Sequence, residues 1–553
     1  MAHKESGIKF RNVKSLHTGY PVFILLVTLG VVAGCCVNSP GPDDYEEQRN
    51  EPYEGLIPDF QGPTYFDDYT PIFTWSDRFN WNLANVHDPT VIKDGDYFYM
   101  YQTNASYGNV HEAGGNYPAR RSKDLVNWEY LGAVFDADPA WVKDALNTIR
   151  ATMDPALPAL ENPEYGFWAP HITKVGNTFR LYYCVVVLNP ILGNNGNEYW
   201  TERAFIGLAE STDLSSNHWE DKGMVIHSVA DGEETYARDG GSDWSGYFRF
   251  NAIDPSYVVT PEGEHWLIYG SWHSGLAAVE VDPVTGKPKE LNTLPDFGVR
   301  VAGRGDVYSN RWQALEAPEI IYNEDTGYYY LFLSYDELAQ AYNTRVARSE
   351  KITGPYFGMD GGNVTAGAEA YPVLTHPYKF AGSYGWVGIS HCSIFQDPDS
   401  GKWFYASQGR LPPNIAGINV SNAVMMGHVR EIYWTEDGWP LVAPERYADV
   451  PDVTLTEADL LGKWEEITLR YEYQAMQLSE NITLQEDYSV TGHLNGTWSF
   501  DEGSQTLTLN GTKLLVDSAW DWEASPRRTT VTYAGISSEG FSIWGKKVGN
   551  EEK

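Results

Sequence analysis

The chain has 553 residues and a formal net charge of −36, with 20 Trp, 37 Tyr, 52 Gly and 31 Pro. That length has room for more than one domain, and the many aromatics and turn formers favour an all-β protein over a helical one. The negative balance excludes a phosphate-rich nucleic acid, or an acidic polysaccharide gripped by a broad basic surface, as partner; a neutral glycan is compatible with it.

Cationic residues Lys4, Lys9, Arg11 and Lys14 precede an apolar run from Val22 to Ala33. At about a dozen residues the run is short of the ~20 needed to span a bilayer, so residues 1–34 read as an export signal. Val32-Ala33-Gly34-Cys35 resembles a bacterial lipobox, which makes Cys35 the lipidation site and the chain an exported lipoprotein, on the outer membrane or cell surface. Residues 35–70, rich in Pro and Gly, with acids at Asp43, Asp44, Glu46 and Glu47, read as a flexible acidic tether. Membrane contact is expected through the N-terminal lipid only. The two body cysteines, Cys184 and Cys392, make no disulfide framework and read as small buried hydrophobes.

From about residue 71 to 450 a pattern repeats. A corner at Asp88-Pro89, Ala169-Pro170, Asp254-Pro255, Ala317-Pro318 or His391-Cys392 opens a short strand. Each strand is followed by a Gly-containing turn and an aromatic run, such as Tyr97-Phe98-Tyr99-Met100-Tyr101 or Tyr328-Tyr329-Tyr330-Leu331-Phe332. Five copies predict a five-bladed β-propeller, with insertions between strands because the corners lie roughly 60 to 85 residues apart. Residues 455–553 alternate in short strands of their own and predict a small antiparallel β-barrel or sandwich.

A propeller brings its innermost strands to one axis, so Asp88, Asp254, Glu316 and His391 should meet at one end of it, joined by Trp168. Acids converging in an aromatic-rich chain suggest glycoside hydrolysis, which needs one carboxyl protonated and another ionised. Glu316, between Leu315 and Ala317-Pro318, suits the acid; Asp88, beside His87, suits the base. Asp254 would orient the acid and raise its pKa by like charge. His87, Trp168 and Ser271 are the expected substrate contacts, Trp168 as a platform for a sugar ring.

His87-Asp88-Pro89, Phe167-Trp168-Ala169-Pro170, Ala252-Ile253-Asp254-Pro255, Tyr269-Gly270-Ser271, Leu315-Glu316-Ala317-Pro318 and Ser390-His391 resemble, in order, the motifs of glycoside hydrolase family 43, and in particular of its endo-1,5-α-L-arabinanases. The resemblance implies single-displacement inversion with Asp88 as base, Asp254 as modulator and Glu316 as acid. It also implies a Ca2+ ion near the catalytic centre, held largely by water and approached by His391. The partner it implies is arabinan, a neutral plant cell-wall polysaccharide, acted on by a monomer. Two departures bear on sugar contacts: Trp272-His273 follows Ser271, and His171 stands where many relatives carry an acid. An exo-acting arabinofuranosidase or β-xylosidase of the same fold, and a non-catalytic surface glycan binder, are the competing readings.

Overall fold

The computed structural model describes residues 53–65, 82–104, 116–153, 156–192, 198–230, 248–272, 275–305, 314–415, 422 and 425–550. Cys35, the export segment, the acidic cluster and His273 lie outside them.

The architecture is a five-bladed propeller followed by an eight-stranded closed barrel. Each blade is an antiparallel sheet whose strands follow in chain order, innermost first, with the hairpin Pro190–Leu192/Glu198–Thr201 inserted within blade 2. Blade 1 runs Thr90–Asp94, Tyr97–Tyr101, Asn116–Ser122 and Trp128–Phe135, and blade 2 begins at Tyr165–Val175. Blades 3, 4 and 5 begin at Ser256–Val259, Leu315–Asn323 and Val387–Gln396; blade 4 has three strands and the others four. The aromatic runs form the second strands. They are buried on both faces, as Thr178–Val187 is throughout except at its first residue, because each lies between two strands and between two neighbouring blades.

All five corners share one backbone feature. Asp88, Ala169, Asp254, Ala317 and His391 have φ of 47°, 28°, 55°, 51° and 52°, in the left-handed region that non-glycine residues seldom enter. In blades 2, 4 and 5 the pairing with the second strand skips two residues at this point, between Trp168 and His171, Glu316 and Glu319, and Ser390 and Ser393. Such a bulge re-aims the side chains beside it.

Two residues beyond each corner stands a buried polar side chain, and these five form a closed circuit. The Thr90 hydroxyl accepts the Ile172 N–H at 3.1 Å, His171 Nε2 that of Tyr257 at 3.2 Å, and Ser256 Oγ that of Ile320 at 3.1 Å. Glu319 Oε1 accepts the Ile394 N–H at 3.0 Å, and Ser393 Oγ closes the loop on Val91 at 3.1 Å. No described blade borrows a strand from the other end of the propeller, so this circuit joins the first blade to the last. The Asp88 N–H to Gln408 Oε1 bond of 2.8 Å and the Gly427 N–H to Leu83 carbonyl bond of 2.7 Å assist it.

The barrel runs from Gly462–Thr468 to Ser542–Gly549. It packs on the segment that leads into blade 5, where Tyr378–Lys379 pairs in parallel with Gln477–Leu478 and the Tyr378 ring meets Trp544 edge-on. The expected tether is corrected where it is described. Within 53–65, Phe60 and Tyr65 pack against Trp520 and Trp522 of the barrel, and the Leu56 N–H donates to the Thr529 carbonyl at 3.1 Å. Gly62 approaches so closely that a Cβ there would come within 2.6 Å of the Trp520 ring. Its aromatic residues dock a stretch whose composition reads as linker.

Candidate active site

The corners bring Asp88, Asp254 and His391 to one axial level, with Glu316 beside them. Asp88, Asp254 and His391 occupy the left-handed position itself, whereas Glu316 and Trp168 precede it by one residue. The three acids therefore do not stand in equivalent positions along their blades. Two are equivalent, and the bulge at Ala317-Pro318 turns the third in from the neighbouring step.

Each acid is held differently. Asp88, buried, accepts a 2.7 Å bond from the Thr103 hydroxyl on one oxygen, while the other faces His391 Nδ1 at 3.0 Å and His87 Nε2 at 3.5 Å. Burial pushes its pKa up, but the two imidazoles and the hydroxyl outweigh that and hold it well below the usual carboxylate range. Burial in turn lowers His391, yet Asp88, Asp254 and Glu316 more than reverse it and lift this imidazole to about 9. His87 has no such surplus and burial takes it down to about 4.

Glu316 accepts from the Tyr342 hydroxyl at 2.6 Å and from Ser271 Oγ at 2.9 Å. Its pKa is raised, first by burial and further by the charge of Asp88, against the lowering pull of Tyr342, His391 and Ser271. Asp254 is buried and raised as well, first by burial, then by Glu316 and Asp88 against the pull of His391. Its Oδ2 accepts the N–H of Ala317, next to Glu316, at 3.1 Å. Two carboxyls sharing one dry site cannot both ionise at neutral pH, so this pair keeps a proton while Asp88 keeps none. Burial leads the rise in Glu316, as its apolar neighbours suggest, and like charge adds to it: Asp88 acts on Glu316, and Glu316 and Asp254 oppose each other's ionisation.

Residues 83–440 match glycosyl hydrolases family 43. The chain belongs to that family. Residues 444–545 match the C-terminal lipocalin-like domain of family 43. An extracellular endo-alpha-(1→5)-L-arabinanase of Thermotoga petrophila is 26% identical over 521 residues, covering 87% of this chain and 96% of its own length. An extracellular exo-alpha-(1→5)-L-arabinofuranosidase of Cellvibrio japonicus is 27% identical over 370 residues, 65% of this chain and 86% of its own. The crystal structure of a family 43 glycoside hydrolase from Bacillus licheniformis superposes with a TM-score of 0.64 at 25% identity, covering 84% of this chain and 98% of that one. This family 43 member is accordingly a glycosidase.

The remaining expected site residues fall around this glycosidase centre. Trp168 is half-buried against the blade 2 core, its indole close over Gly166. Ser271 is engaged by Glu316, and its backbone bridges to that residue. His171 belongs to the circuit below the acids, with Nδ1 3.4 Å from Glu319 Oε2. Cys184 and Cys392 are buried free thiols, both raised chiefly by burial and unsuited to chemistry.

Thr103, Tyr342 and Glu319 were not anticipated. Glu319 had a visible signal, since the residue two beyond every corner is polar in a strand that is otherwise apolar. Thr103 and Tyr342 lie outside any repeat.

As metal donors the axis offers the imidazoles of His87 and His391; His87 turns Nε2 towards Asp88 and His391 turns Nδ1. On His391 that arrangement leaves Nε2 for an ion in the manner of carboxylate-backed histidine ligands. Among the described residues, the acids whose ligand atoms converge within 4.8 Å are Glu445, Asp521 and Glu523, far along the chain from His391. The axis therefore offers an ion one nitrogen of His391, available only from the neutral imidazole, so binding would have to displace a proton from it.

Proposed function

We propose that this glycosidase cuts α-1,5-linked L-arabinan internally, with inversion of the anomeric carbon. The observation that carries the reading is the contrast between two carboxyls at one end of the axis: Asp88 is held low by His391 and Thr103, while Glu316 is raised, first by burial. Glu316 donates its proton to the glycosidic oxygen as the bond to the anomeric carbon breaks. A water on the opposite face of the sugar attacks that carbon and gives its proton to Asp88. Asp254 fixes the backbone beside the acid through the Ala317 N–H. Trp168 offers its face to a furanose ring, and His87, neutral beside Asp88, lies within reach of a sugar hydroxyl.

Arabinan is favoured because the relative matched over nearly its whole length, both domains included, is named for it. Endo action is favoured on the same ground, since that relative is named as endo-acting. Product analysis on linear arabinan, with the anomer followed by NMR during the first turnovers, tests both points. The reading expects mixed short oligosaccharides with inverted reducing ends. Arabinose alone would indicate an exo-acting enzyme, retained configuration would refute the displacement, and inactivity on every arabinan and xylan would leave a glycan binder.

His391 is the residue we assign to a calcium ion held otherwise by water. The family resemblance, and not the single imidazole, names calcium, a metal that ordinarily takes oxygen ligands. When bound, such a cation adds positive charge beside Asp88 and favours its ionised form. A chelator should then lower activity and Ca2+ restore it. Export as a lipoprotein through Cys35 is proposed alongside, in keeping with relatives named as extracellular. Loss of the lipid mass in a Cys35→Ala variant checks it.

A further inference from the structure

The hydroxyl on Glu316 comes from Tyr342, whose position is set by a loop no catalytic motif includes. Tyr342 is buried at the end of residues 336–342, between the second and third strands of blade 4. The loop starts with Asp336 in the left-handed region, φ 71°, its N–H on the Ala314 carbonyl at 3.3 Å and its carboxylate paired with Arg304. Arg304 also donates to the Ala314 carbonyl at 3.1 Å, two residues before the acid. Asn343 Nδ2 ties the far end back to Asp336 Oδ2 at 3.0 Å and the Ala341 carbonyl at 2.9 Å.

From outside, the barrel touches this loop. Its Gln474 carbonyl accepts from Gln340 Nε2 at 3.0 Å, and its Tyr471 hydroxyl accepts from Arg304 Nη2 at 3.4 Å. The Tyr471 ring lies 4.3 Å beneath the fully buried Arg345 guanidinium, which in turn donates to Asn343 Oδ1 at 2.8 Å. The Glu472 N–H, between these residues, donates to His376 Nε2 at 3.2 Å and anchors the barrel turn to the propeller.

We propose that Tyr342 is a positioning residue for the acid, and that the barrel turn 471–474 acts on catalysis by holding the 336–342 loop that carries it. This rests on Glu316 being the acid. A hydrogen bond to a carboxylate oxygen is directional, so a loop allowed to shift loses it and leaves the carboxyl both less oriented and more readily protonated. Among the described residues, Tyr342, Ser271, Asp88, Asp254 and His391 face Glu316. Of these, only Tyr342 is reached by the contacts traced from the barrel.

The test measures kcat/KM against pH on debranched arabinan, with melting temperature in parallel, for the full-length protein and its Tyr342→Phe, Tyr471→Leu, Gln340→Ala and Glu316→Gln variants. Tyr342→Phe should lower kcat about tenfold and move the basic limb to higher pH. Tyr471→Leu and Gln340→Ala should move that limb the same way by less. Gln340→Ala removes an exposed contact, so its melting temperature should match the wild type, and it carries the test should Tyr471→Leu unfold. A wild-type limb in Tyr342→Phe, or in Gln340→Ala and a folded Tyr471→Leu together, would overturn the proposal. Retained activity in Glu316→Gln would instead sink the acid assignment on which it rests.

Discussion

At the propeller axis, Asp88, Asp254 and Glu316 surround the imidazole of His391. In the seam between propeller and barrel, Glu445, Asp521 and Glu523 surround the ammonium of Lys546 at 2.7, 2.9 and 2.6 Å. Both clusters hold three acids and one cation, and in both the acids are pushed apart: Glu445 is raised, first by burial, while Glu523 ends at about 2 because Lys546 and Arg446 overcome its burial. Neither the number of acids nor the split between them marks the reactive site. What differs is access and completeness. Lys546 and Asp521 are 0% exposed, and the ammonium donates to Asp521 and Glu523 while Glu445 completes the charge balance as a third ion-pair partner. At the axis His391 keeps 15% exposure, and each acid is held by a different neighbour: Asp88 by Thr103, Glu316 by Tyr342 and Ser271, Asp254 by the Ala317 N–H. The ammonium also stands where a cation would sit among the converging acids, which makes that cluster an internal clamp between the two domains.

Lys546→Met gives the largest contrast in stability. It strands three buried carboxylates and should cost roughly 3–5 kcal/mol, read as a large drop in melting temperature with little change in kcat of the folded enzyme. A small drop would break the comparison by showing that the clamp carries no charge balance. At the axis, Thr90→Val keeps the shape but leaves the Ile172 N–H without its acceptor; the expected loss is about 1–3 kcal/mol in denaturant unfolding. Ser271→Ala has the smallest effect. It removes one of the bonds that lower the pKa of Glu316, so the protonated acid survives to higher pH and the basic limb of kcat/KM moves up. A limb that stays or moves down would contradict the role given to that hydroxyl.

Much of this was legible in the sequence because the propeller repeats. Asp-Pro and Ala-Pro corners before aromatic runs give the blades, and two aspartates at the same corner position converge by symmetry. Glu316 was legible as an acid of the site but not as offset from the other two, because its offset comes from a bulge set by pairing with Tyr328–Tyr335. Tyr342 was illegible, being delivered by an irregular loop. Lys546 was misleading in another way: in an alternating barrel strand, Lys546-Lys547 reads as surface, yet both are buried, Lys546 among the acids of the seam and Lys547 against Tyr53 and the Asp459 carbonyl. Residues 53–65 read as tether because Pro, Gly and acids dominate there, while the few aromatics that dock them carry little weight in composition.

The most direct test of Glu316 as proton donor is the leaving-group dependence of a Glu316→Ala variant, measured as kcat/KM on linear arabinan and on aryl glycosides of an arabino-oligosaccharide with leaving groups of graded acidity. Loss of a positioned general acid should cost about 10²–10⁴-fold on arabinan and shrink towards nothing for the most acidic phenol, which departs without protonation. An equal loss across the whole series, or activity on arabinan close to the wild type, would contradict the assignment.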